Sequence, residues 1–431
     1  MMKRLATVVA VAALLLVSCG DDDDTAADSG TGTTAAGGGA ETTTGGEADG
    51  EPLKIGVISG LTGAYVELGE SQANGANLAA KLLGGKAGNR PIEIIVRDDQ
   101  LKPEAALREA QSLVQEEEVD FLTGCVSAAT TLAVNQVAKE AGVPYIGTCQ
   151  TEQLNRPPNY DADYTYHVAP TPSMYINAVT PHVCETLGKK VFLMLPDYAY
   201  GHEQNSAYIE ALPAAGCEIV GTAWAPLGTT DFNPYIPQID SSGAEVLVLG
   251  VAGRDQVSFL RQAQQFGLKD RVKIFFFHDL TFDEEIGFDL LEGTFGYTGF
   301  YWTIDNPKTQ EYVEAYEQEY GKPPGGYSVY LYDVVNVIAE QVAAGNDSPE
   351  DFRAALEGYE WDGALTGTMR ACDHQLLQAV YVLRGLGSAE AESVGGSATH
   401  GFREIVETVP AGEETAPTCD EVQEEFVPAK P

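Results

Sequence analysis

From Leu53 onward the chain alternates short, continuous apolar runs with longer amphipathic ones, and no other feature limits its possible folds as strongly. A short β-branched run without polar alternation reads as a strand buried on both faces. Residues 54–59 (KIGVIS) have this character, as do 92–96, 119–123 and 143–146. Between them, 69–83 repeats Ala73, Ala76, Ala80 and Leu83 at helical spacing. Pro103 opens a second helix in the first turn, where its missing N–H does no harm, and 128–141 forms a third. The rhythm then restarts: helices over 172–187, 201–215, 233–241 and 254–266, strands over 190–195, 218–222, 245–249 and 272–277. Strands that alternate with helices imply parallel sheets with right-handed crossovers. Two such series predict two doubly wound α/β lobes. A strand over 294–302, helices over 307–320, 327–344 and 348–356, and strands near 365–369 and 378–383 complete the body.

The N-terminus has a different composition. Lys3 and Arg4 precede an apolar stretch, 5–17, too short for a permanent membrane span. The run Leu16-Val17-Ser18-Cys19 then reads as a lipobox, with Cys19 as the lipid-modified residue. Residues 20–52 are mostly Asp, Gly, Thr, Ala and Glu, and cannot bury enough surface to offset the entropy of ordering, so they read as a tether. Beyond Cys19, six cysteines remain, an even number that suits an oxidising compartment. Taken in sequence order they pair as Cys125–Cys149, Cys184–Cys217 and Cys372–Cys419. Metal ligation is the rival reading, but no pair has the short CxxC spacing of zinc sites.

The formal charge of −39 over 431 residues repels phosphates and argues against a nucleic-acid partner. Nucleophile-elbow, zincin and P-loop motifs are missing, and no GxGxxG run opens a helix. No cofactor or metal is therefore expected, and neither is an enzyme. Cys372-Asp373-His374 is the one tight Cys/His grouping and reads as a turn beside a disulfide.

Several stretches together resemble a known family. Lys54-Ile55-Gly56-Val57 followed by Ser59-Gly60-Leu61-Thr62-Gly63, then Asp98-Asp99, Glu140-Ala141-Gly142-Val143-Pro144, Tyr198-Ala199-Tyr200-Gly201 and Leu260-Arg261-Gln262-Ala263 occur in order. In this the chain is similar to the branched-chain amino-acid binding proteins of ABC transporters, which have the type I periplasmic-binding fold. The resemblance runs from about Leu53 to Leu383. It implies two lobes joined by three passages, placed here near 168–171, 293–301 and 369–371, with a solute cleft between them that closes by a hinge. The first lobe would comprise 53–168 and 296–369, the second 169–295 and 370–386, and 387–431 would be a tail.

The resemblance also implies a site. Ser127, the Ala128 N–H and Thr151 would receive a ligand carboxylate, with Cys149 in the same loop. Asp279 would meet an ammonium, and Tyr200 and Tyr65 would line the cleft. Ser127 also suits a helix N-cap, and Asp279 a cap for the segment after it. Ala252 stands where relatives commonly carry a second cleft tyrosine. The implied partners are a small solute, an amino acid first and an aromatic acid or amide as the alternative, and the permease and ATPase of an importer. A ligand-sensing role in signalling is a further reading. The lipid on Cys19 would be the membrane attachment, at the outer face of the cell membrane. Replacing Cys19 by Ala should release the protein from membranes into the soluble fraction, as fractionation and immunoblotting would show; a variant that stays on membranes excludes the lipobox.

Overall fold

The computed structural model describes residues 50–393, 401–410 and 412–429. Cys19 and nearly all of the expected tether lie outside the described residues.

Two sheets organise the molecule. The first has the order Lys86–Ala87, Arg90–Asp98, Leu53–Ser59, Phe121–Gly124, Tyr145–Gly147, Thr165–His167. All its pairings are parallel except that of the short edge strand Lys86–Ala87. The second has the order Arg403–Val409, Val380–Gly385, Phe295–Thr298, Lys273–Phe277, Val246–Leu249, Lys190–Pro196, Glu218–Ala225. Its last five strands are parallel, and the two from the C-terminal part run antiparallel. Helices cover both faces, so central strands are apolar on both sides. Phe275 packs into one core cluster with Tyr175 and Tyr297, while Phe276 faces the other with Leu249 and Leu291.

Helix Val66–Leu82 lies against helix Gly326–Ala343 on the first sheet. A Cβ at Gly75 would stand 1.9 Å from the Ser328 carbonyl oxygen, so only glycine permits this approach. Helix Ala128–Ala141 begins and ends where the apolar spacing places it, and Gly142 closes it in the left-handed conformation.

The chain passes between lobes at 168–171, at 299–306 and at Ala379. Strand Phe295–Thr298 pairs with Lys273–Phe277, so the lobe boundary expected at 295/296 falls inside a second-lobe strand. The third passage is later than the expected 369–371 because residues 360–378 form a separate three-stranded sheet first. The tail expected over 387–431 also has structure. Arg403–Val409 adds an edge strand to the second sheet, and Arg403 inserts beneath it, 4.7 Å above the Phe276 ring.

Cys184–Cys217 and Cys372–Cys419 are disulfides with Cα separations of 5.7 and 5.9 Å. The pairing expected between Cys125 and Cys149 is not formed; both are free and buried. Cys125 has a left-handed backbone (φ 69°) and packs among Ile58, Leu122 and Tyr145. The Cys149 thiol instead donates to the Val126 carbonyl at 3.2 Å. Peptide mapping without reduction should therefore find two bridges and two thiols that alkylate only after unfolding. Losing either bridge should cost about 2–4 kcal/mol of stability, read as a lower melting temperature.

Candidate ligand cleft

Parallel strands deliver their C-terminal loops to one edge, and here the two such edges face each other. From the first lobe come Tyr65, Leu68, Val126, Ala128, Cys149, Gln150 and Tyr327; from the second come Tyr198, Tyr200, Ala252 and Phe277. They enclose a cavity of about 30 Å³, room for about one water. Five of the walls are aromatic rings, and no lining side chain is ionised. Burial pushes the Tyr65, Tyr198, Tyr200 and Tyr327 phenols upward, so they remain neutral hydroxyls. Burial does the same to the Cys149 thiol, which leaves it a poor nucleophile.

The loops are fixed from below. Gln72 lies on the apolar face of helix Val66–Leu82 and is fully buried. It bonds Ser59 at the end of the first strand, the Cys125 carbonyl (3.0 Å) and the Thr148 hydroxyl (2.8 Å), and so ties the ends of three strands together. His167 lies between the Cys149 carbonyl and Asn155 Oδ1, with a ring nitrogen 2.5 Å from each; burial draws its pKa down to about 4, so near pH 7 the ring has one N–H to donate to one of the two.

The lobes meet through matched polar groups. Tyr65 and Tyr198 hydroxyls are 2.9 Å apart. Tyr200 donates to Gln150 Oε1 at 3.1 Å. Arg254 pairs with Glu67 across the mouth. Each such bond contributes about 1 kcal/mol net, so together they hold the closed form without locking it.

The expected site residues divide into two groups. Tyr65, Ala128, Cys149 and Tyr200 line the cavity. Ser127, Thr151 and Asp279 do not. Ser127 is the N-cap residue of helix Ala128–Ala141, with no capping bond from its side chain. The Thr151 hydroxyl donates to Glu203 Oε1 at 3.1 Å. Asp279 caps the short helix Leu280–Phe282 through Thr281 N (2.9 Å) and accepts Gly326 N–H at 2.9 Å from the opposite lobe. Its carboxylate thus joins the lobes at the start of helix Gly326–Ala343. Tyr198, Gln150, Phe277 and Tyr327 were missed. Their signal was available in part: Tyr198 and Phe277 sit at the ends of strands already recognised, and Gln72 is a polar residue inside an apolar stripe.

An α/β fold of two lobes around a closable, aromatic-walled cleft defines a solute-binding protein. Residues 52–389 match the family described as periplasmic binding protein, and the chain belongs to that family. It is similar to the Leu/Ile/Val-binding protein homolog 6 of Brucella melitensis, 28% identical over 322 residues, covering 72% of this chain and 81% of the relative. Among solved structures it is similar to an ABC transporter substrate-binding protein from Sphaerobacter thermophilus, 28% identical with a TM-score of 0.75, covering 84% of this chain and 98% of that one. A branched chain amino acid ABC transporter periplasmic ligand-binding protein from Burkholderia xenovorans LB400 is 26% identical with a TM-score of 0.74, over 85% of this chain and 97% of the other. The family implies an extracytoplasmic location, and no helix among the described residues is long and apolar enough to cross a membrane.

Replacing Tyr198 by Phe removes a lobe-to-lobe hydrogen bond and leaves the ring. Solute affinity should fall by about 2- to 10-fold, matching the usual worth of one hydrogen bond, with an unchanged melting temperature for the solute-free protein. Calorimetric titration and differential scanning calorimetry read the two quantities.

Proposed function

We propose that this protein is the lipid-anchored receptor of an ABC importer that captures a small aromatic monocarboxylate by hinge closure and hands it to a permease driven by an ATPase. It saturates with solute and turns nothing over. The observation that carries the solute class is the chemistry of the cleft wall, which must part beyond the closed 30 Å³ cavity to admit a ring: five aromatic rings, alanines at 128 and 252, and no ionised side chain. A carboxylate has a place at the start of helix Ala128–Ala141, where Ala128 lines the cavity and the first N–H groups carry partial positive charge. An ammonium has no matching anion on the wall, and an unpaired charge there is costly. Tyrosine hydroxyls and Gln150 would orient a ring substituent.

One observation favours an amino acid instead. Asp279 bonds Gly326, whose neighbour Tyr327 forms part of the wall, so a small shift of that contact would bring a carboxylate to the solute.

Calorimetric titration of the mature protein with 4-hydroxybenzoate, phenylalanine and isoleucine separates the two readings. The proposal expects 4-hydroxybenzoate to bind at least tenfold more tightly than either amino acid; the reverse order overturns it. The Asp279→Asn variant adds a second axis. Loss of the Gly326 contact should weaken all three solutes alike. An additional loss of roughly 2–5 kcal/mol confined to the amino acids would mark Asp279 as their ammonium partner.

A further inference from the structure

Away from the cavity wall, the seam between lobes contains two buried carboxylates that solute contact does not explain. Glu203 lies on helix Ala199–Ala214 of the second lobe and is fully buried. All three of its partners come from the first lobe: the Thr151 hydroxyl (3.1 Å), the Glu152 N–H (2.9 Å) and the Gln153 amide (2.6 Å). Glu152 reaches the other way. Its Oε1 accepts the Ser173 N–H at 2.6 Å, at the start of second-lobe helix Pro172–His182. Both sets cross from one lobe to the other, so parting the lobes would pull them apart.

The charges facing the pair do not balance. Arg156 is the one cation among the residues lining the adjoining cavity of about 420 Å³, 3.8 Å from Glu152 Oε2, and it also donates to the Glu421 carbonyl. The other titratable groups on that cavity are Glu210 of the same helix and Glu421, Glu424 and Glu425 of the C-terminal segment. Helix Pro172–His182 contributes Ser173 and Asn177, which do not titrate. On the cleft side stand Cys149, a neutral thiol, and the Tyr200 phenol. Closing the lobes therefore buries two carboxylates against one guanidinium.

We propose that lobe closure takes up a proton at the Glu203–Glu152 pair, which makes Glu203 an affinity-setting residue and couples solute capture to pH. The proton comes from solvent, binds Glu203 Oε1 and is donated to Thr151 Oγ1, whose hydroxyl reverses its role. This rests on the family's hinge closure and not on the identity of the solute. Burial, the largest cause, raises Glu203 from its ordinary 4.5 to about 7, with the Glu152 charge acting in the same direction. Parting the lobes returns the group to water and to its ordinary value. The protonated form therefore favours closure; its contribution is complete below about 4.5 and is lost as pH rises through about 7.

Single-molecule energy transfer between dyes at the exposed positions Glu104→Cys and Gln264→Cys reads the closed fraction with no added solute. The ratio of closed to open molecules should fall by more than ~10-fold between pH 5 and 7 and level off above that. Glu203→Gln should flatten the profile. Arg156→Gln, which removes the cation facing the pair, should move the transition to higher pH and gives a second test if Glu203→Gln folds poorly. A wild-type ratio independent of pH, or a profile unchanged in both variants, overturns the proposal. Because no solute is present, that failure would leave the aromatic-acid reading standing.

Discussion

The cleft exists because each parallel strand that contributes to it ends on the same edge of its sheet. A parallel pair requires a crossover, and a right-handed crossover returns the chain to the starting edge. The loops after 53–59, 121–124 and 145–147 must therefore emerge side by side, and so must those after 190–196, 246–249 and 273–277. Hydrogen bonding within each sheet leaves these loops free of ladder duties, so their side chains and helix N-termini can serve a ligand. Gln72 shows how strictly the arrangement is held, since one buried amide joins the ends of three strands.

Set against the buried cores of the lobes, the seam is weak by design of its chemistry. Its bonds are phenol to phenol and phenol to amide, each worth about 1 kcal/mol once water competes, and a few from carboxylate to N–H, each worth about 1.5–3 kcal/mol. A core residue such as Phe275 or Leu193, buried on every side, contributes about 1.5–3 kcal/mol. The lobes thus behave as stable bodies joined by a contact that solute binding can shift. Glycine at 75 serves the bodies, whereas Tyr65, Tyr198, Asp279 and Glu203 serve the contact.

Much of the fold was readable in the periodicity. Helices 128–141 and 307–320 begin and end where their patterns place them. The edge strand Arg403–Val409 was missed because its sequence, REIVETV, alternates with charges and follows a polar stretch. The strand Thr165–His167 was missed because three residues carry no periodicity. Pairing the six cysteines in sequence order gave three bridges, of which two form and Cys125–Cys149 does not. Cys125 and Cys149 follow neighbouring strands, but the left-handed turn at Cys125 sends its sulfur into the core while Cys149 lines the cleft.

Sequence periodicity determined that this chain makes two α/β lobes, because strand and helix periods are local properties that survive without any partner; the likeness to solute-binding proteins lay in short motifs occurring in order. The same resemblance implied Tyr65, Ala128, Cys149 and Tyr200 as cleft residues, and these four line the cavity. Tertiary structure decided where the remaining polar groups spend their hydrogen bonds. Whether Asp279 meets a ligand or the Gly326 N–H, and whether Thr151 meets a carboxylate ligand or Glu203, depends on a residue from the other lobe. No periodicity encodes that choice, because it is made only when two surfaces distant in the chain come within hydrogen-bond reach.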